Sequence, residues 1–210
     1  MSSNTWNVIT DSLDLLRNAA ALVTDANREA PTPCGDWTVT QVLQHAAGDQ
    51  LAWAAAVGGG TGPSENPFAP SGRLDGSVDD LIEPALAAAR TAWAGVPAGD
   101  DAVPTPLPQG AFPAPTAAAA CALDAAVHAW DIAVALGQPG ALSDELAARL
   151  LPAARAIVEP LRQYGAYAPA LPARAEDGSS AELLRYLGRD PEWLLRFVMP
   201  YEGAADPGED

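Results

Sequence analysis

Asp124 and His128 lie in the stretch Cys121-Ala-Leu-Asp124-Ala-Ala-Val-His128-Ala-Trp130-Asp131, where metal-competent side chains interrupt an otherwise apolar helical run. Residues four apart on a helix stack about 6 Å along its axis, so the two side chains point the same way. An unpaired carboxylate in such a helix costs several kcal/mol. No arginine occurs on this helix or on the helix leading to His45, so a metal ion is the economical partner. The chain has two histidines, and the other, His45, follows Asp36-Trp37-Thr38-Val39-Thr40-Gln41-Val42-Leu43-Gln44. Two imidazoles and one carboxylate leave a coordination position open, as catalytic metal sites do. The same set holds non-haem Fe(II), so the spacing names a site and not an element. On spacing alone other readings stand: His128 bonded to Asp131 in the next turn, or Asp124 capping a loop or paired with an arginine from elsewhere.

The elements that must position these residues follow from periodicity and punctuation. Pro115 to Leu136 predicts a long helix, apolar nearly all round and therefore central to a bundle, with Gly137 suited to its left-handed end. Thr38 is a good N-cap ahead of Val39, Val42, Leu43 and Ala46, in a helix that runs to about Val57 and puts Val42, Asp49 and Trp53 on the face of His45. Thr5 to Asn27 predicts a first amphipathic helix, and Arg28 to Gly35 a proline-containing turn. That turn carries Cys34, weighed as a fourth ligand against a half-exposed loop thiol.

A glycine-rich loop, 58–76, precedes Ser77, which can cap a third helix from Val78 to Ala94, with Pro84 expected to bend it or delay its start. A second loop spans Val96 to Pro115. Both loops are long enough to reach the open end of a bundle and shape a pocket. Trp53, Trp93, Phe112 and Trp130 are candidate apolar walls for it, with plain core the competing reading. Ser143 can cap a helix from Asp144 to about Gln163, and a short helix, Ser180 to Leu187, ends at Gly188. Pro191 can open another turn through Phe197, and the acidic tail Glu202 to Asp210 reads as disordered.

With 210 residues, 49% hydrophobic and 18% charged, the chain has the makeup of a globular domain. The division expected is a metal-binding bundle over 1–140, a helical C-terminal extension of the same domain over 141–200, and a tail over 201–210. No run approaches the ~20 uncharged residues of a membrane helix, and the N-terminus lacks a basic start, which predicts a cytoplasmic protein away from membranes. The 27 acids outweigh 11 bases, giving a net charge of −16 that repels phosphate backbones and argues against nucleic-acid partners. Every base is arginine, so Schiff-base catalysis and a phosphate-loop lysine are excluded. Two cysteines give neither a disulfide framework nor zinc-finger spacing.

Three separated segments, Asp36-Trp37-Thr38-Val39 with His45, Asp124-x3-His128-Ala129-Trp130-Asp131, and Gly188-Arg189-Asp190-Pro191, together resemble the DinB-like superfamily. More narrowly they resemble its actinobacterial metal-binding branch, related to the N-terminal domain of mycothiol-dependent maleylpyruvate isomerase. The resemblance implies an all-α fold, an up-down-down-up four-helix bundle with extra C-terminal helices here. It also implies a divalent metal, zinc before iron or nickel, on His45, Asp124 and His128, where the isomerase pattern usually has Glu at the position of Asp124. Asp131, ahead of Asp49, would orient an imidazole and so serve catalysis. The implied activity is thiol transfer or isomerisation of a small electrophilic metabolite with mycothiol as cosubstrate, and a homodimer is compatible with the family. A thiol-independent Lewis-acid enzyme and a non-catalytic metal-binding protein are the alternatives.

Overall fold

The structure, a computed structural model, describes residues 6–193. Among them are six helices: α1 (Asn7–Ala20), α2 (Val39–Gly58), α3 (Val78–Ala94), α4 (Ala114–Ala135), α5 (Asp144–Arg162) and α6 (Ser179–Tyr186). No strand occurs among the described residues, only the isolated bridges Pro31 to Thr38 and Val103 to Phe112.

Local chemistry sets the helix ends. Thr38 and Ser77 each accept from the backbone three residues on, while Gln41 and Asp80 reach back to the cap, closing capping boxes. Ser143 caps α5. The first helix is shorter than the predicted Thr5 to Asn27. Beyond Ala20 the Asn27 side chain accepts from Thr24 N at 2.7 Å and donates to Leu22 O at 3.0 Å, so polar turn bonds replace the helical ladder. Helix α3 starts at Val78 as its cap dictates and runs through Pro84.

Side-chain meetings give the helix directions. Trp6 at the start of α1 stacks edge-on with Trp93 at the end of α3 (5.6 Å), and Arg17 late in α1 pairs with Glu83 early in α3, so these two are antiparallel. Trp53 and Gly58 late in α2 meet Trp93 and Ala92 late in α3, so these are parallel. His45 and Gln50 meet Asp124 and Cys121 in reverse order, so α2 and α4 are antiparallel. The result is an up-down-down-up bundle, with α1 mainly against α4 and α2 mainly against α3.

Helix α4 is buried on nearly every face, and its alanines let the neighbours close in. By length and composition it could cross a membrane, which corrects the expectation that no run comes near that standard. Yet 94% of its apolar window is covered by the rest of the fold. Helix α5 packs on α4 and α1, and α6 on α5. Asp144 at the start of α5 accepts from Ser180 N at 2.7 Å, a contact that a side chain at Gly178 would block. Gly188, at φ +80°, lets the Ala168 and Pro169 carbonyls approach to 2.8 Å of where a Cβ would stand, so Tyr167 and Arg189 are delivered to one place. The turn expected through Phe197 and the tail Glu202 to Asp210 lie outside the described residues.

Candidate metal centre

The second turn of α2 and the middle of α4 cross so that His45, Asp124 and His128 converge, their ligand atoms all within 4.8 Å of one another. Asp124 Oδ1 lies 3.4 Å from His45 Nε2 and 3.3 Å from His128 Nε2, and the two rings stand edge to face at 4.7 Å. Both histidines are buried, at 7% and 6% exposure.

The other nitrogen of each ring settles what faces Asp124. His45 Nδ1 is 2.9 Å from the Pro67 carbonyl, which can only accept, so Nδ1 carries the proton. His128 Nδ1 donates to Asp131 Oδ2 at 3.0 Å. Each neutral ring therefore turns an Nε2 lone pair toward a carboxylate whose other oxygen, Oδ2, is buried without a partner. Three acceptors converge, an arrangement that a cation between them reconciles.

A proton on His128 is one such cation. Burial pulls that imidazole's pKa down, but Asp124, then Asp131 and Cys34, carry it well above the ordinary value. Asp124 is held well below the carboxylate range: burial opposes this, and His128 and His45 overcome it. A proton still leaves Asp124 Oδ2 unbonded. A divalent ion fits the donor set better. Ligands at about 2.0–2.2 Å around a tetrahedral zinc stand about 3.3–3.6 Å apart, and the Oδ1 to Nε2 separations are 3.3 and 3.4 Å.

Behind His128 lies a second row of partners. Asp131, fully buried, takes Arg189 Nε at 2.8 Å on Oδ1 and Arg189 Nη2 at 2.8 Å on Oδ2. Burial raises the Asp131 pKa, but Arg189 and His128 bring it below the ordinary carboxylate value, so it holds the Nδ1 proton of His128 as an anion. Arg189 stands outside the helical patterns that the sequence displays. It pairs across 58 residues and lies after α6, and its only signal was the Gly188-Arg189-Asp190-Pro191 segment. Arg189 Nη2 also reaches Cys34 Sγ at 3.6 Å. Cys34 groups with His128 and Asp131 and not with the set of His45, Asp124 and His128, so it is not placed as a fourth ligand of that set.

Asp49 is one turn beyond His45 but does not hold either imidazole; that task falls to Asp131 and the Pro67 carbonyl. Burial, then Asp124, pushes the Asp49 carboxyl well above its usual pKa. Tyr167, from the segment after α5, is pushed up to about 12, by burial first and by Asp124 next. The aromatic residues beside the centre are Trp37 and Phe68, 4.9 and 5.4 Å from the His45 ring. Trp53 and Trp93, candidate pocket walls on sequence, stack on each other in the core instead. The 59–77 loop does reach the centre. The loop before α4 bridges onto itself at Val103 and Phe112, and Gln109 ties it to Ile157 of α5.

The family model for the mycothiol maleylpyruvate isomerase N-terminal domain matches residues 9–133. The chain belongs to this family. Among curated proteins it is 35% identical over 164 residues to the uncharacterized proteins MT0763 and Rv0738 of two Mycobacterium tuberculosis strains, across 76% of this chain and 83% of each relative. No solved structure gives a significant match. His45, Asp124, His128 and Asp131 all fall inside the stretch matched to the mycothiol maleylpyruvate isomerase N-terminal domain, whereas Tyr167 and Arg189 come from beyond it. In this member of the family the segments that follow α5 and α6 therefore bring side chains to the centre, while the helices themselves cover the bundle.

Proposed function

We propose that this chain is a divalent-metal-dependent enzyme, zinc first, which acts as an S-transferase or isomerase on a small electrophilic metabolite with a low-molecular-weight thiol of the mycothiol type. The observation that supports the metal is the meeting of two Nε2 lone pairs and a carboxylate with one bare, buried oxygen. The thiol and the reaction class rest on family membership. When bound, the ion supplies a Lewis acid that favours the deprotonated form of a thiol or water beside it.

The chain's own residues do the rest. His45, Asp124 and His128 are the ligands, with both imidazoles locked by their Nδ1 bonds so that no ring rotation precedes binding. Asp131, clamped by Arg189, keeps His128 in that tautomer. Tyr167, its pKa pushed up to about 12, retains its proton at neutral pH and can donate to negative charge that develops on a substrate near Asp124.

The test is metal analysis followed by turnover. About one zinc per purified chain is expected. Conversion of maleylpyruvate-like electrophiles should require mycothiol, stop in chelator and stop in His128→Ala. Turnover that persists without thiol would favour a Lewis-acid isomerase, cyclase or hydrolase on the same centre, and full activity in chelator would exclude the metal reading altogether.

A further inference from the structure

Gly48 sits inside α2, three residues after His45, where glycine weakens a helix relative to alanine. Its backbone is ordinary helix, since it is absent from the positive-φ glycines, so conformation does not demand it. Space does. A Cβ at position 48 would stand 2.9 Å from Pro67 Cγ and 3.0 Å from Pro67 Cβ, inside any normal contact and against a ring that cannot swing away.

Pro67 is also the residue whose carbonyl takes the His45 Nδ1 proton at 2.9 Å. The two contacts are one arrangement, because the residue whose carbonyl meets His45 has its ring in the space that a Cβ at Gly48 would take. Other bonds hold the same loop along α2, Gln41 donating to Pro70 O, Gln44 donating to Arg73 O and Gly72 N donating to Gln44 Oε1, but they act further along the loop and none touches His45. Phe68, the next residue, rests against the His45 ring at 5.4 Å while 64% exposed, so a shift of Pro67 moves the rim of the site as well.

We infer that Gly48 is a positioning residue of the centre: by admitting Pro67 it fixes the tautomer and orientation of His45, whose Nε2 is thereby presented to the ion. This deepens the metal reading above and rests on it. Gly48→Ala forces Pro67 back by about half an ångström, the gap between 2.9 Å and ordinary contact near 3.4 Å, and stretches the carbonyl bond to His45.

The experiment measures zinc affinity by competition with a chromophoric chelator, alongside the His45 ring tautomer in the zinc-free protein by 15N NMR. Gly48→Ala should lose roughly tenfold or more in zinc affinity, as removal of a hydrogen-bond partner behind a ligand does, while the zinc-free protein still folds, because the stability that alanine gives the helix offsets part of the crowding against Pro67. His45 should pass from a single Nδ1–H tautomer to a mixture. Gly48→Ala combined with Pro67→Gly, which removes the clashing ring atoms and keeps the carbonyl, should recover most of the affinity. Unchanged affinity in Gly48→Ala, or a loss that the double variant leaves undiminished, overturns the inference. If the wild type bound no zinc, the metal reading would fail, and the tautomer comparison would still decide the role of Gly48: a mixture in Gly48→Ala upholds it, and an identical tautomer in both proteins ends it.

Discussion

Two buried polar clusters lie one turn apart on α4, and they are built to opposite rules. At Cys121 the thiol donates to Gln50 Oε1, the Gln50 amide donates to the Cys121 carbonyl, and the Trp93 indole donates to the sulfur, each at 3.3 Å. Burial keeps that thiol protonated by pushing its pKa well up, so the cluster closes on itself. At Asp124 the neighbours offer lone pairs, and one carboxylate oxygen has no partner. A cluster that only stabilises satisfies its own members, whereas one that binds leaves an end open for what it binds.

Four experiments probe that contrast. The largest effect belongs to the closed pair behind His128: Arg189→Leu strands Asp131 as a buried charge and should cost about 3–5 kcal/mol in urea unfolding of the zinc-free protein. Next, Asp124→Asn should lose zinc by more than the roughly 10–100-fold that outer partners cost, and in the chelator-treated protein it should bring the His128 pKa back down, since Asp124 is first among the groups that raise it. Gln50→Leu should instead remove about 1–3 kcal/mol of stability by leaving the buried Cys121 thiol without its acceptor, with zinc affinity unchanged. The smallest effect is in pH: zinc and protons compete for Nε2, so affinity should fall about tenfold per pH unit for each proton displaced. Because His128 titrates above its ordinary value, the fall should begin above pH ~6.5 as pH is lowered. Equal responses of the two clusters to these changes would erase the distinction between them.

Much of this could be read from the chain. The caps at Thr38, Ser77 and Ser143 are local side-chain chemistry, and the stacking of Asp124 under His128 follows from helical pitch. The residues that complete the centre were less legible for a physical reason. Pro67 contributes a backbone carbonyl, which carries no residue signature, and Gly48 contributes an absence. Arg189 and Tyr167 arrive from irregular segments whose path depends on how α5 and α6 pack. Trp53 and Trp93 misled because a large aromatic at helical spacing looks the same in a core as beside a site.

The parallel run of α2 and α3 has one more consequence. Two helices pointing the same way cannot be joined by a tight turn, so the chain that leaves α2 at Gly58 must retrace about 30 Å of helix before α3 can begin. The starting line for α3 is the end of the bundle that holds His45, and residues 59–77 must pass there whatever their composition. The roof over the end that holds His45 and Asp124 is thus set by connectivity before any residue of the loop is chosen.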